Sequence, residues 1–214
     1  MARSERVTLD SPAGTIELWV DVVDAQAPPA GIVLVAHPHP LYGGSADNKV
    51  VTTIARALRE LGYVTLRPNF RGVGASTGAH DHGAGETDDL LLVHSYAQQR
   101  FGHLPLVLAG FSFGAYVIVR LVQRLADAGT PAQRLILVGT AAGHVEGTRS
   151  YGTGPVPDNT IVIHGDLDET VPLANVLAWA GSQELPVTLV PGADHFFHRK
   201  LHIIRRIIHS AWCR

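Results

Sequence analysis

The stretch Leu106-Val-Leu-Ala-Gly-Phe-Ser-Phe-Gly-Ala-Tyr116 decides the expected fold. Its first four residues form a short apolar run that predicts a buried strand, and residues 113–128 repeat apolar side chains at helical spacing. Between strand and helix lies Gly110-Phe-Ser-Phe-Gly114, which fits the pattern G-x-S-x-G, a sharp turn that exposes a serine hydroxyl. Glycine at both ends keeps side chains out of the crowded turn. This context favours Ser112 as a nucleophile over a chance match.

The sequence around this turn alternates between strand and helix patterns. Strands are predicted at 31–36, 63–67, 134–138, 160–164 and 186–190, and helices at 47–61, 86–101, 199–212 and after Pro172. Such alternation predicts an α/β fold with a mostly parallel twisted sheet and helices on both faces. Residues 6–24 differ, because their alternating pattern and the turn Pro12-Ala-Gly14 predict an antiparallel hairpin at one sheet edge.

Length and composition predict one domain spanning residues 1–214. The chain has 214 residues, of which 46% are hydrophobic and 17% charged, enough for one core but not for a second domain. The net charge of -2 and the absence of long charge runs argue against nucleic acid or an anionic membrane as partner.

The cellular compartment is predicted from the sequence at the two ends and from the length of the apolar runs. The longest apolar runs are far shorter than the roughly 18 residues that suggest a membrane span. The start, Met1 to Arg6, lacks the apolar stretch of a secretory leader, and the only cysteine, Cys213, has no partner for an intrachain disulfide. We therefore expect a soluble cytoplasmic protein.

An acid and a base are expected downstream of the serine, in the chain order Ser, Asp or Glu, His. His195 follows the last predicted strand and is the candidate base that takes the serine proton. Asp168 is the preferred acid, because it lies deeper in its loop, where its carboxylate can reach His195. Asp166 is the main alternative, although an Asp directly after a glycine commonly hydrogen-bonds the loop backbone. Glu169 is a weaker alternative, and Asp194 is expected to point away from the base.

The segment His37-Pro-His-Pro-Leu-Tyr-Gly-Gly44 follows the first strand of the parallel core. In a serine hydrolase this connection supplies one backbone N–H for the oxyanion, and the residue after the serine supplies another. The two prolines have no N–H to donate. The N–H of His39 is therefore the first choice and that of Leu41 the second, each paired with the N–H of Phe113.

Two histidine pairs offer a competing interpretation. His37-x-His39 and His80-x-His82 resemble pairs of metal ligands. No other residues complete a recognisable metal spacing, and a metal site needs converging, supported ligands. We expect no metal and no cofactor, with His37 in a structural hydrogen bond.

Together these motifs resemble the α/β-hydrolase superfamily over nearly the whole chain. More narrowly, the chain is similar to small lidless bacterial serine hydrolases akin to the dienelactone hydrolase group. The matching blocks are His37–Gly44, Asn69–Gly74, Gly110–Gly114, His164–Val171 and Asp194–His198. The resemblance implies an α/β-hydrolase fold without a cap domain and a Ser112–Asp168–His195 triad. Dienelactone hydrolases use a cysteine nucleophile where this chain has Ser112, so their lactone substrate is not implied.

The connection 140–159 is rich in Gly, Pro and Ser and too short for a helical cap. We expect an open site with Tyr151 and residues 147–154 at its rim. The predicted function is a serine hydrolase that cleaves small or short-chain carboxylic esters through an acyl-enzyme on Ser112. A thioesterase, an amidase and a non-catalytic binding module are the alternatives. The expected partner is a small-molecule acyl substrate, and the oligomeric state is open between monomer and homodimer.

Overall fold

A computed structural model describes residues 3–23, 28–145, 147 and 149–212. Met1, Asp24 and Cys213, on which parts of the sequence predictions fall, lie outside these residues. The strands are β1 (Arg3–Ser11), β2 (Gly14–Val22), β3 (Gly31–Ala36), β4 (Tyr63–Pro68), β5 (Leu106–Phe111), β6 (Arg134–Val138), β7 (Gly143–His144), β8 (Ser150–Tyr151), β9 (Ile161–Gly165) and β10 (Val187–Val190). The helices are α1 (Lys49–Glu60), α2 (Ala84–Phe101), α3 (Phe113–Asp127), α4 (Leu173–Gly181) and α5 (Leu201–Trp212).

Eight of these strands form one sheet in the order β1-β2-β4-β3-β5-β6-β9-β10. The six strands from β4 to β10 in this order pair in parallel. At the other edge, β1 pairs with β2 and β2 with β4 in antiparallel fashion. The predicted mostly parallel sheet with an antiparallel N-terminal edge is confirmed.

The two faces of the sheet carry separate apolar cores. Successive side chains of a strand point to opposite faces, and β3 shows the consequence. Ile32, Leu34 and Ala36 belong to the core that packs on α2 and α3, whereas Val33 and Val35 belong to the core that packs on α1 and α5. Every residue of β3 is buried, which explains why its sequence is a continuous apolar run.

The connection from β6 to β9 contains no helix among its described residues. Its regular structure is the hairpin of β7 and β8, whose two-residue strands are too short to give a periodic signal in the sequence. The carboxyl edge of the central strands is therefore not covered by a helical cap in the described part of this connection, as predicted.

Among the described residues α2 is the longest helix. Neither it nor any of the others combines the length and apolar content that a membrane span requires.

Candidate active site

Ser112 is the single residue between β5 and α3, at the carboxyl edge of the sheet. Its backbone has φ 57° and ψ −120°, a conformation that residues with a side chain rarely adopt. Such a conformation costs about 1–3 kcal/mol and persists only where the surrounding structure holds it. Part of that support is the Ser112 N–H, which donates to the carbonyl oxygen of Val138 on β6 at 2.9 Å.

The two glycines of the motif allow backbones to approach closely. A Cβ added to Gly110 would lie 2.6 Å from the backbone nitrogen of Ala115. A Cβ added to Gly114 would lie 2.4 Å from the carbonyl oxygens of both Ala36 and His37. Both positions thus require glycine, and the second one presses the start of α3 against the loop that follows β3.

The structure joins three of the predicted residues in a chain of hydrogen bonds. His195 Nε2 lies 3.0 Å from Ser112 Oγ, and His195 Nδ1 lies 2.7 Å from Asp168 Oδ2. The other carboxylate oxygen of Asp168 accepts the N–H of Val171 at 2.7 Å. All three side chains are buried. Because Asp168 is an acceptor, it favours the tautomer with the proton on Nδ1, which leaves Nε2 to accept the serine proton.

The other candidate acids have different partners. Asp166 accepts the backbone N–H of Gly192, which ties two loops together. Asp194 accepts the N–H of His198 at 3.0 Å and pairs with that ring at 2.6 Å. Glu169 is exposed. Of the acids considered from the sequence, Asp168 is the one that is hydrogen-bonded to His195.

A second histidine lies behind Asp168. His164 is fully buried, its Nε2 donates to the carbonyl oxygen of Val171 at 3.1 Å, and the same atom lies 3.6 Å from Asp168 Oδ2. Burial lowers the pKa of His164, so the ring is neutral and presents an N–H to this loop. The remaining nitrogen, Nδ1, has no partner among the described residues.

The predicted oxyanion loop forms a 3₁₀ turn over Pro40–Tyr42. The Leu41 N–H donates to His39 Nδ1 at 3.3 Å and is therefore already engaged. The backbone N–H groups of His39 and Phe113 have no hydrogen-bond acceptor in the described part of the chain. This difference favours His39 over Leu41 as the donor paired with Phe113.

His37 fixes the base of this loop. Its Nδ1 donates to the Pro38 carbonyl at 2.6 Å, and its Nε2 accepts the Phe70 N–H at 2.9 Å. Burial lowers the pKa of His37 to about 4, so the ring is neutral at pH 7 and holds one tautomer.

The rings of His39, His80 and His82 contact one another in tilted and edge-on arrangements. The rings of His39 and His80 are 4.6 Å apart and those of His80 and His82 are 4.9 Å apart, between centroids. His80 Nδ1 lies 2.9 Å from the fully buried carboxylate of Glu86. Burial, aided by the nearby His80 and Arg149, lowers the pKa of His39 to about 4. The described residues contain no group of three or more His, Cys, Asp or Glu placed to hold a metal ion.

Two adjoining cavities open at this site. The first, which we call the Ser112 cavity, has a volume of about 150 Å³ and is lined by Pro38, His39, Tyr42, Gly43, Gly44, Asn48, Ser112, Arg149, Thr170, His195 and Phe196. The second, the aromatic pocket, has a volume of about 440 Å³ and is lined by His39, Leu41, Tyr42, His80, His82, Phe113, Tyr116, Arg149, Ser150 and Tyr151. The two share His39, Tyr42 and Arg149.

Several lining residues are absent from the sequence predictions. Tyr116 lies one helical turn after Ser112 and Phe196 directly follows His195, so both carried a positional signal. Thr170 lies within the matching block His164–Val171 and Arg149 within the expected rim 147–154, but no pattern singled out either residue. Tyr151, expected at the rim, lines the aromatic pocket.

Comparison with known proteins agrees with this architecture. Residues 27–152 match the model of the Hydrolase_4 family, described as serine aminopeptidase, S33. The chain belongs to this family.

Relatives and solved structures extend the similarity beyond that segment. An uncharacterized protein of Rickettsia prowazekii is 32% identical over 213 residues, covering 96% of this chain and 87% of the relative. An α/β serine hydrolase without lid from Xanthomonas campestris is 40% identical with a TM-score of 0.85, covering 98% of this chain and 93% of the other. An α/β serine hydrolase homologue from Coxiella burnetii is 36% identical with a TM-score of 0.81 and 95% coverage of both chains. The predicted membership of the α/β-hydrolase superfamily, without a lid, is confirmed.

A more distant similarity covers only part of the chain. The lysophosphatidylserine lipase ABHD12 of Danio rerio is 36% identical over 106 residues, which are 48% of this chain and 28% of that protein.

We expect Gly114→Ala to lower the free energy of unfolding by about 1–3 kcal/mol, because its Cβ meets two backbone carbonyl oxygens that must move apart. The control is Gly181→Ala at the end of α4, where an added Cβ meets no atom within 4 Å. There alanine leaves stability unchanged or raises it by up to about 1 kcal/mol. Urea unfolding of both variants measures the difference, and equal effects would contradict the close approach.

Because burial lowers the pKa of His37, we expect the free energy of unfolding to fall in acid. The unfolded chain takes up a proton on this residue near its ordinary pKa of 6.5, whereas the folded protein does so only near pH 4. Stability is therefore unaffected above about pH 6.5 and falls as the pH drops towards 4. The slope from this residue reaches about 1.4 kcal/mol per pH unit.

Urea unfolding of wild type and His37→Gln between pH 7 and pH 4.5 measures that slope. His37→Gln is expected to be less stable at pH 7 but to lose stability less steeply with acid. His202→Gln, at an exposed position of α5, is the control and keeps the wild-type slope. An unchanged slope in His37→Gln would show that the pKa of His37 is the same in the folded and the unfolded protein.

Proposed function

We propose that this protein is a serine hydrolase that cleaves small carboxylic esters through an acyl-enzyme on Ser112. The observation that carries the proposal is the buried chain of hydrogen bonds from Asp168 through His195 to Ser112, which opens into the Ser112 cavity. An isolated serine hydroxyl is a weak nucleophile, and a neighbouring base oriented by a carboxylate makes it reactive.

In the first half of the reaction, Ser112 Oγ attacks the ester carbonyl carbon while its proton passes to His195 Nε2. The carbonyl oxygen becomes an oxyanion and accepts hydrogen bonds from the backbone N–H groups of His39 and Phe113. When the tetrahedral intermediate collapses, the bond to the leaving alkoxide breaks and His195 gives it the proton. Asp168 stabilises the imidazolium that exists between the two transfers.

In the second half, water attacks the acyl-enzyme carbonyl and gives a proton to His195. Collapse of this second intermediate breaks the bond to Ser112 Oγ, which takes the proton back, and the carboxylic acid is released. The same N–H pair stabilises both oxyanions.

Local electrostatics support this proposal. Phe113 is the first residue of α3, and a helix N-terminus favours negative charge. The His39 ring is neutral, and its Nδ1 accepts the Leu41 N–H. The His39 ring therefore does not bind the backbone N–H of His39, which stays free for the oxyanion. Burial of the Ser112, Asp168 and His195 side chains strengthens each of these interactions by excluding water.

An ester suits the cavities better than a peptide with a free amino terminus. A peptide α-ammonium group requires an acidic partner, yet no Asp or Glu lines the described walls of either cavity. The partly matching vertebrate relatives carry the name lysophosphatidylserine lipase, and lipases cleave carboxylic esters. Thioesters and amides use the same machinery and rank behind esters.

The direct test is labelling with a fluorophosphonate, in which Ser112 Oγ bonds to phosphorus and fluoride leaves. We expect one labelled site in wild type, mapped by peptide mass spectrometry to Ser112, and none in Ser112→Ala. Circular dichroism of both proteins controls for folding. Absence of label on folded wild-type protein would reject the hydrolase and favour a binding module with this fold.

The acid is tested by comparing two neighbouring aspartates. Asp168→Asn removes the charge that orients and stabilises the His195 ring, and we expect kcat on 4-nitrophenyl acetate to fall by about 10³–10⁴-fold. Asp166→Asn alters a contact with the Gly192 N–H and changes kcat by less than about threefold. The reverse ranking would assign the acid to Asp166.

A further inference from the structure

The aromatic pocket is much larger than the Ser112 cavity and is not explained by ester cleavage alone. We propose that it binds the acyl group of the substrate and selects acyl groups that carry a planar ring. This inference rests on the proposed function, because it assumes that Ser112 is acylated.

The walls of the pocket form a continuous set of rings. Phe113, Tyr116 and Tyr151 contact one another with centroids 5.1 to 6.1 Å apart. His39 and His80 lie 4.8 and 5.2 Å from the Phe113 ring. A planar substrate ring can pack against these walls face to face or edge to face, which a saturated ring of the same size cannot do equally well.

The volume of the aromatic pocket also fits an acyl group that carries a ring. A closed cavity of about 150 Å³ is sufficient to hold one benzene ring. The aromatic pocket, at about 440 Å³, has room for a ring and a short spacer. The Ser112 cavity, at about 150 Å³, is about a third of that size and has room for a small leaving group such as one aryl ring.

The position of His195 assigns the two cavities to the two halves of the substrate. His195 must protonate the leaving oxygen, so the leaving group lies on its side of Ser112. His195, Thr170 and Phe196 line the Ser112 cavity, and none of them lines the aromatic pocket. The leaving group therefore occupies the Ser112 cavity, and the acyl group extends into the aromatic pocket.

Phe113 contributes both to the proposed oxyanion site and to the wall of the aromatic pocket. Its backbone N–H is the proposed oxyanion donor, and its side chain is part of the pocket wall. An acyl ring stacked there holds its own carbonyl close to that N–H. The ring preference is thus expected in kcat/KM rather than in binding alone.

A matched pair of esters isolates this preference. 4-Nitrophenyl 3-phenylpropanoate and 4-nitrophenyl 3-cyclohexylpropanoate share a leaving group and a spacer, and the ring is too far from the carbonyl to alter its reactivity. The cyclohexyl ring is the more hydrophobic, so simple apolar burial favours the second ester. We expect wild type to prefer the phenyl ester by about fivefold or more in kcat/KM.

Tyr116→Leu removes one wall ring and keeps an apolar side chain. We expect it to lower the phenyl-to-cyclohexyl ratio by about two- to tenfold. Tyr96→Leu is the matched control. Tyr96 and Tyr116 each lie on a helix, four residues before an arginine that contacts the tyrosine hydroxyl, but Tyr96 is not in the pocket. The control keeps the wild-type ratio.

A binding measurement separates this inference from the proposed function. Calorimetry with Ser112→Ala compares 3-phenylpropanoate with 3-cyclohexylpropanoate, and tighter binding of the phenyl acid requires no turnover. Hydrolysis without a phenyl preference would overturn the pocket assignment and leave the hydrolase intact. No labelling of Ser112, together with tighter phenyl binding, would overturn the hydrolase and leave an aromatic-ligand pocket. An unchanged ratio in Tyr116→Leu would also overturn the pocket assignment.

Discussion

The N-terminus of α3 packs directly against the carboxyl ends of β3 and β5, and the remaining features of the site depend on this contact. Gly114 leaves no room for a Cβ between α3 and the carbonyl oxygens of Ala36 and His37. The chain must therefore reverse within one residue, which places Ser112 in a strained conformation at the edge of the sheet. The same contact brings the loop after β3 alongside Phe113, and the rings of His39 and Phe113 lie 4.8 Å apart.

Four histidines near this contact differ in role because their surroundings differ. His37 is buried and uses both ring nitrogens to fix the loop after β3, the proposed oxyanion loop. The His39 ring is neutral and lines the aromatic pocket. His164 donates a hydrogen bond to the loop that carries Asp168. His195 alone lies between a carboxylate and the serine hydroxyl. Burial keeps the His37, His39 and His164 rings neutral, whereas a carboxylate hydrogen-bonded to Nδ1 orients His195 towards the serine hydroxyl.

Most of the fold was predictable, because its strands and helices have strong local signals. Residues 31–36 and 106–109 are apolar throughout, since central parallel strands are buried on both faces. The hairpin of β7 and β8 was missed because two-residue strands have no periodicity. The order of Ser112, Asp168 and His195 along the chain could be inferred from the fold class, but the choice between Asp168 and Asp166 depended on which carboxylate reaches the imidazole.

The sequence by itself determined the strands and helices, the serine turn and a short set of candidate acids and bases, because each of these depends on the residue pattern along the chain. The aromatic pocket was decided only by the tertiary structure. Its walls come from residues 39–42, 80–82, 113–116 and 149–151, four segments that no local pattern connects. They meet because β4, β3, β5 and β6 lie side by side in the sheet in that order, so the loops that follow these four strands share one edge.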